Sequence, residues 1–572
     1  MDRKGWAIVG NGITAALIDS ECRICWLCLP KFDGLPVFAK ALSPKVGGGL
    51  SLYLGQKVKT KEQKYLEEAA VVETTMVSEF GEFKIIDYMP WGKNLLVREI
   101  YGDVEKVEVR VELTQFYYLR FSVKKTERQW QIEGPGVGVF IDVRKITSNR
   151  MQVVLSYGHN LEQAIKAFAT LSEDELFEVL SFWQRWFLQK RKLKNLTPSW
   201  QAFYDRSLMV LKLLTYEPTG AIVAAPTASF PAYPNGEDNW DYRFCWLRDG
   251  FYSAYAFDLA GFHEESRKFY EFSLKLLEKA DHYENPLYTI DGYCSYEILM
   301  PELSGPEGEK PIRFGNKAAE QLQLDNEGNI VYGLWKHWLM TRDTEFLASA
   351  YPKIKKALKF TVQNWYKPEH GIWEFRDKKR QWVFGKVMCY AGMVAGAKIA
   401  SVLKEYPKAR EYLRTAWQIK ENLLAYGYNK EKQAFLQHYA PDAPADSSVL
   451  ALSEFNLLPA EDERMVNTVK YIEQKLNFHG AILRFERAVL PFYLCTFWLI
   501  RQYLRMGELK KAAKLLETTL KSTTPLHLMA EHYDPRTREQ WGNFPQGFSH
   551  EELIRTLIFY DKIMGKQKGY KG

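Results

Sequence analysis

The chain lacks several things whose absence narrows what it can be. Cysteine is scarce and odd in number, seven among 572 residues, a usage that suits reduced thiols and excludes a disulfide scaffold. No segment approaches the roughly 18 unbroken apolar residues of a membrane helix. The start, MDRKGWAIVGNG, shows neither a signal-length apolar stretch nor a small-residue cleavage site behind it. These absences predict a cytoplasmic protein with no membrane partner. Neither sign of charge dominates: 77 Lys+Arg oppose 70 Asp+Glu, a net +7. Without the dense basic stripe that a phosphate backbone demands, no nucleic-acid partner is expected. G-x-x-x-x-G-K-[ST] and H-E-x-x-H are also missing, so phosphate-loop and zincin chemistry have no support.

What is present is the composition of a soluble globular protein, 46% hydrophobic and 26% charged, long enough for at least two domains. Aromatics reach 15%, with 17 Trp and 33 Tyr. Flat rings pack cores, and they also stack on sugars.

Three patterns tempt and fail. Cys22, Cys25 and Cys28 form CxxCxxC, but the next cysteine is Cys245 and the segment is strand-like, so buried structural thiols are expected and no metal. Gly10-Asn-Gly12-Ile-Thr-Ala15 fits G-x-G-x-x-A, yet strand formers rather than a helix follow it. Gly134-Pro-Gly136-Val-Gly138 leads into a strand in the same way. Both read as turns.

Residues 1–170 read as β: KVEVRVELT alternates with a period of two, and FYYLRFSVKK, RQWQIEG, GVFIDVRK and RMQVVLSYG follow at short intervals. Repeated short strands predict an antiparallel sandwich. Ser172 with Glu175 starts a capping box, and residues 171–195 read as a linker helix. From 196 to 572 the helical period dominates, punctuated about every thirty residues, which predicts about a dozen helices paired in a ring.

Four loop segments of the helical half gather Trp, Arg, Asp and Glu: Asn239–Asp249, Gly371–Glu374, Leu483–Glu486 and Ala530–Asp534. Singly each has an ordinary reading; Arg248 with Asp249 could be an exposed pair worth under about 1 kcal/mol. Together they match the needs of glycosidic cleavage. One carboxylic acid protonates the leaving oxygen and a second carboxylate activates water on the opposite face.

With NWDYRFCWLRD as the most specific signature, the chain resembles glycoside hydrolase family 15 in its prokaryotic form. RFGNKAAEQLQLDNEG, GKVMCY, DSSVLAL, FYLCTFWL and DPRTREQWGNFPQGFSH extend the likeness nearly end to end. The resemblance implies an N-terminal β-sandwich, an (α/α)6 barrel, and inverting hydrolysis of an α-linked glucose at a non-reducing end. It assigns Glu374 as general acid and Glu531 as general base. Trp246, Arg248 and Asp249, with Arg484, would hold the terminal glucose, and Trp373 and Tyr533, beside the acids, are expected to line the same site. Glu374 should be kept protonated by an apolar, indole-lined environment while Glu531 stays ionised among polar partners. The carboxyls should stand roughly 6.5–9.5 Å apart. No cofactor or metal is required.

One departure bears on substrate. The fungal members carry a second acid after the tryptophan–glutamate pair, and here that position is Phe375. The side facing the leaving group should therefore be more apolar. A glucoamylase-type exo-α-glucosidase is favoured narrowly, with α,α-trehalase as the alternative, so the partner is an α-linked glucose oligosaccharide, a glucan or trehalose. Of other classes, a sugar phosphorylase would dispense with a carboxylate base, and a non-catalytic carbohydrate-binding protein would be expected to lose one of the acids. A homo-oligomer stays open.

Overall fold

The computed structural model describes residues 3–66, 68–116, 119–306 and 308–569. Two antiparallel sheets form the N-terminal part. The first runs Ala7–Gly10, Ala15–Ile18, Ile24–Leu29, Gly49–Tyr53, Glu108–Glu112, with Leu35–Phe38 paired to the third strand. The second has eight strands in the order Ser122–Lys125, Gln129–Gly134, Val137–Thr147, Arg150–Gly158, Leu95–Tyr101, Gly81–Tyr88, Val71–Ser78, Lys59–Tyr65. The first strand packs on Val71–Ser78 and Gly81–Tyr88 of the other sheet. Of the strand read in FYYLRFSVKK only Ser122–Lys125 forms; residues 117 and 118 lie outside the described residues, as do 570–572 at the end of the helical half.

The tempting motifs are turns. Gly10 to Ala15 closes a hairpin in which the Asn11 side chain accepts from the amides of Ile13 and Thr14. Gly134 to Gly138 closes another. Cys22, Cys25 and Cys28 are buried and free, and each meets a different partner: Asp87, the Leu17 carbonyl and Arg243.

Two helices join the halves. α1 (Leu161–Phe168) packs on the last two strands of the second sheet. α2 (Glu175–Phe187) begins three residues after Ser172, although Glu175 does reach back to the Ser172 amide at 2.8 Å. It wedges between the halves: Phe182 stacks on Trp91 at 5.0 Å and Trp186 on Phe262 at 4.1 Å.

The helical part is an (α/α)6 barrel. Its helices are α3 (Pro198–Leu213), α4 (Leu247–Ala260), α5 (His263–Leu276), α6 (Asp325–Thr341), α7 (Thr344–Asn364) and α8 (Val383–Val402). Then come α9 (Tyr406–Tyr426), the one-turn α10 (Ala451–Glu454), α11 (Glu463–Leu476), α12 (Tyr493–Arg505), α13 (Leu509–Leu520) and α14 (Gly547–Gly569). Packing runs α4–α6–α8–α10–α12–α14 and returns to α4, which closes an inner ring. The other helices form the outer layer: α3 packs on α14, α5 on α4 and α6, α7 on α6 and α8. Burial follows this order. Inner α12 is buried around almost its whole circumference, whereas outer α9 buries only Ala409, Tyr412, Thr415, Ala416, Ile419 and Leu423, the single stripe of an amphipathic helix. Inner α8 is long and apolar enough by composition to cross a membrane, but 83% of that window is buried inside the ring.

Candidate active site

The four segments all lie ahead of inner helices: Trp246 directly precedes α4, Glu374 and Arg484 stand nine residues before α8 and α12, and a short hairpin separates Glu531 from α14. Their side chains converge on one cavity of about 340 Å³, lined by Trp246, Arg248, Asp249, Trp373, Glu374, Arg484 and Glu531 among others. That volume sits at the lower end of the roughly 300–1,000 Å³ typical of small-molecule sites. Tyr533 does not line it. The ring is 1% exposed, stacks on Tyr493 of α12 at 3.9 Å, and its hydroxyl meets Thr496 at 3.4 Å. Tyr533 therefore supports the strand behind Glu531 instead of contacting a ligand.

Glu374 ends a tight turn whose amide donates to the Gly371 carbonyl. Both ends of the turn are left-handed, with φ 77° at Gly371 and 59° at Glu374. A Cβ at Gly371 would stand 2.8 Å from the Trp382 ring, so only glycine fits. The non-glycine φ at Glu374 is costly by roughly 1–3 kcal/mol and is retained at the head of the cavity. The carboxyl does not meet the apolar surroundings expected for it. Its Oε1 accepts from Trp246 Nε1 at 2.8 Å, Gln323 Nε2 at 3.0 Å and the Arg248 guanidinium at 3.2 Å. Oε2 takes none of these bonds.

Arg248 is 3% exposed and also donates to Gln323 and Asp325, at 2.8 and 3.2 Å. It thus orients the acid as well as facing the cavity. Its neighbour Asp249 is buried with Oδ2 lacking a hydrogen-bond partner, 3.9 Å from Arg248 Nε. Burial pushes this carboxyl up to about 7; Arg248 opposes that, while the negative charges of Glu374 and Glu531 add to it. An unsatisfied buried acceptor at a cavity wall is suited to a hydroxyl donor.

Glu531 is 4% exposed. The Tyr242 hydroxyl donates to its Oε1 at 2.8 Å, and His532 Nε2 stands 3.6 Å from the same oxygen. Burial alone would raise this carboxyl, but His532, Arg484 and Tyr242 together hold it below its ordinary value. A Cβ on Gly542 would lie 2.8 Å from Glu531 Oε2, and Gly542 has φ 83°, so this glycine keeps the space around that oxygen open. The two acids are linked across the cavity by aromatic rings. Tyr242, bonded to Glu531, packs edge-on against Trp246 at 5.5 Å, and Trp246 bonds Glu374.

Beside the acid, Phe375 stacks on Trp382 at 5.0 Å and 6° and approaches Phe485 at 5.2 Å, giving the cavity an apolar wall. At the rim Arg376 pairs with both oxygens of Glu297 and lies 4.1 Å over Trp240. Trp373 donates to Asp446 at 2.8 Å and is fixed by it. Among the described residues no group of three or more His, Cys, Asp or Glu is arranged to hold a metal ion.

Tyr242, Gln323, Asp325 and His532 were missed in reading the sequence. Tyr242 sits inside the most specific segment, NWDYRFCWLRD, Gln323 and Asp325 sit inside QLQLDNEG, and His532 lies between Glu531 and Tyr533.

Comparison with known proteins adds the following. Residues 199–558 match glycosyl hydrolases family 15, and residues 2–137 match a trehalase-like N-terminal domain. Trehalase 2 of Sulfolobus acidocaldarius is 30% identical, over 98% of this chain and 100% of its own length. The trehalase of Mycolicibacterium smegmatis is 29% identical, over 95% of this chain and 89% of its own. Among solved structures, a bacterial glucoamylase complexed with acarbose superposes with a TM-score of 0.74 at 13% identity, covering 98% of this chain and 94% of that one. That likeness concerns the fold.

Proposed function

The chain belongs to glycosyl hydrolase family 15, and on that footing we propose that it is an inverting α,α-trehalase, with Glu374 as general acid and Glu531 as general base. The observation that carries the choice of substrate is the run of relatives named trehalases, which align over nearly the full chain, N-terminal sheets included. This reverses the narrow preference for a glucoamylase-type enzyme drawn from the sequence. The cavity supports the same reading: it is small, and the place of a second acid is filled by Phe375, packed between Trp382 and Phe485.

In the reaction, the terminal glucose lies between the two carboxyls, with Asp249 Oδ2 accepting from one of its hydroxyls. Three donors occupy Glu374 Oε1, so the proton to be given resides on Oε2. Oε2 protonates the glycosidic oxygen as its bond to the anomeric carbon breaks. Glu531 takes a proton from a water that attacks the same carbon from the opposite face. Trehalose and water thus yield two glucose molecules, one β from the attacked carbon and one α from the leaving sugar.

Glucose release from trehalose, maltose, isomaltose and soluble starch, measured in parallel, tests the substrate; release from starch and maltose with none from trehalose would restore the glucoamylase reading. NMR of fresh product from trehalose should show both anomers in equal amounts, and α-glucose alone would contradict inversion. Glu374→Gln and Glu531→Gln should each cut turnover by about 10²–10⁴-fold with the fold intact.

A further inference from the structure

A buried imidazole touches the base and has no part in the chemistry above. His532 is 2% exposed. Its Nδ1 lies 3.1 Å from the Pro491 carbonyl oxygen, which only accepts, so Nδ1 carries a proton and donates. The tautomer is thereby set, and in the neutral ring Nε2 is a bare lone pair. Nε2 stands 3.6 Å from Glu531 Oε1 and has no hydrogen-bond partner. At that distance two lone pairs repel, whereas a proton on Nε2 turns the contact into an ion pair. The ring has little freedom to turn away: His532 pairs with Trp541 on one side, bridges to Phe492 on the other, and packs 5.0 Å from the Phe492 ring.

We propose that His532 is a positioning residue for the base: anchored through Nδ1 on Pro491, it presents Nε2–H to Glu531 and steadies that carboxylate for the attacking water. The inference rests on the reading of Glu531 as base. Tyr242 and His532 both address Oε1. Oε2, beside Gly542, is left as the oxygen that accepts the proton of water. The charged and titratable groups facing the pair are Arg484 from the loop before α12, Tyr242 from the segment before α4, and Asp249 at the start of α4. Trp541 and Phe492, which flank His532, bring no charge. Burial works against ionisation of Glu531, and His532 is the first of the groups that offset it, which agrees with the geometry.

The experiment is the pH profile of kcat/KM in His532→Asn and His532→Gln, on the disaccharide that the wild type turns over. Asn keeps a donor for the Pro491 carbonyl but cannot reach Glu531; Gln places a non-titrating amide donor near Oε1. The acid limb reports the base of the free enzyme. In H532N it should move to higher pH, while the alkaline limb and KM stay close to wild type. The loss at acid pH should remain below the roughly 10²–10⁴-fold worth of the whole base step. H532Q should recover part of the neutral-pH rate, and it carries the comparison alone if H532N does not fold. An acid limb unmoved in a folded variant, or a loss lying wholly in KM, overturns the proposal. Glu531→Gln separates the two levels. If E531Q stays active, the base assignment itself is wrong; if E531Q is inactive and the acid limb is unmoved, only the role of His532 falls.

Discussion

Replacing Asp249 by asparagine should make the protein more stable and less active. The carboxyl is 7% exposed, and burial raises it from 3.8 to about 7. Between those values the unfolded chain has lost the proton while the folded chain keeps it. Folded binding of the extra proton means that stability falls as pH rises through this window and is lowest above it. Ionising Asp249 in place therefore costs about 4 kcal/mol above pH 7 relative to a group that never ionises. Asparagine removes that cost but turns an NH₂ toward the position where Oδ2 has no partner, at a penalty of about 1–3 kcal/mol. The net expectation is a gain of about 1–3 kcal/mol at about pH 8 that turns into a loss of about 1–2 kcal/mol at about pH 4, where only the asparagine penalty remains. Urea unfolding at the two pH values, followed by tryptophan fluorescence, measures it, with glucose release assayed on the same samples. A D249N protein no more stable than wild type at the higher pH would refute the claim that this wall of the cavity stores unfavourable charge. A gain equal at both pH values would refute the ionisation origin.

Two further substitutions probe the base. Tyr242→Phe removes the hydroxyl 2.8 Å from Glu531 Oε1; a hydrogen bond to a charged group is worth about 1.5–3 kcal/mol, so kcat/KM should fall about 10–100-fold, with the acid limb moving to higher pH because one of the groups holding the carboxyl down is lost. Unchanged kinetics would show that this bond does not act in the reaction. Gly542→Ala inserts a Cβ 2.8 Å from Glu531 Oε2 at a backbone φ of 83°, and should abolish most turnover while leaving the far-UV circular dichroism as it was. Retained turnover would mean that Oε2 is not the working oxygen.

The fold was legible where periodicity was strong. The alternation read in KVEVRVELT appears in Glu108–Glu112, where half-buried valines alternate with exposed charged residues. GVFIDVRK and RMQVVLSYG form the strands Val137–Thr147 and Arg150–Gly158, and helices spaced about thirty residues apart close into the ring. Boundaries were less so: the capping box at Ser172 is only half made, since the Ser172 hydroxyl accepts from Asp174 and the helix waits until Glu175. Within the site, residue types and their loops could be read, but side-chain direction could not. Tyr533 stands two places from Glu531 and yet turns into the packing against α12. The surroundings of Glu374 were misjudged because Arg248, in the first turn of α4, and Gln323, in the loop before α6, stand 126 and 51 positions away. Only the closed ring brings them to the same carboxyl oxygen.

Position alone cannot divide the labour between the two acids. Both lie in segments ahead of inner helices, Glu374 before α8 and Glu531 before α14. The difference lies in how their oxygens are occupied. Glu374 has one oxygen held by an indole, an amide and a guanidinium, which, on the proposed reading, leaves the other to carry a proton toward the leaving group. Glu531 is more deeply buried and is held below its ordinary value by a histidine, an arginine and a phenol. Such a carboxylate stays ionised and, on the proposed reading, is free to take a proton from the attacking water. The Tyr242–Trp246 contact makes these environments mechanically dependent, since each ring is bonded to one acid and packed on the other ring. A substitution that moves Trp246 should therefore displace Tyr242 and disturb the base together with the acid, so that both limbs of the pH profile shift at once. Independent movement of the two limbs would mean that the rings merely fill space between two separately built sites.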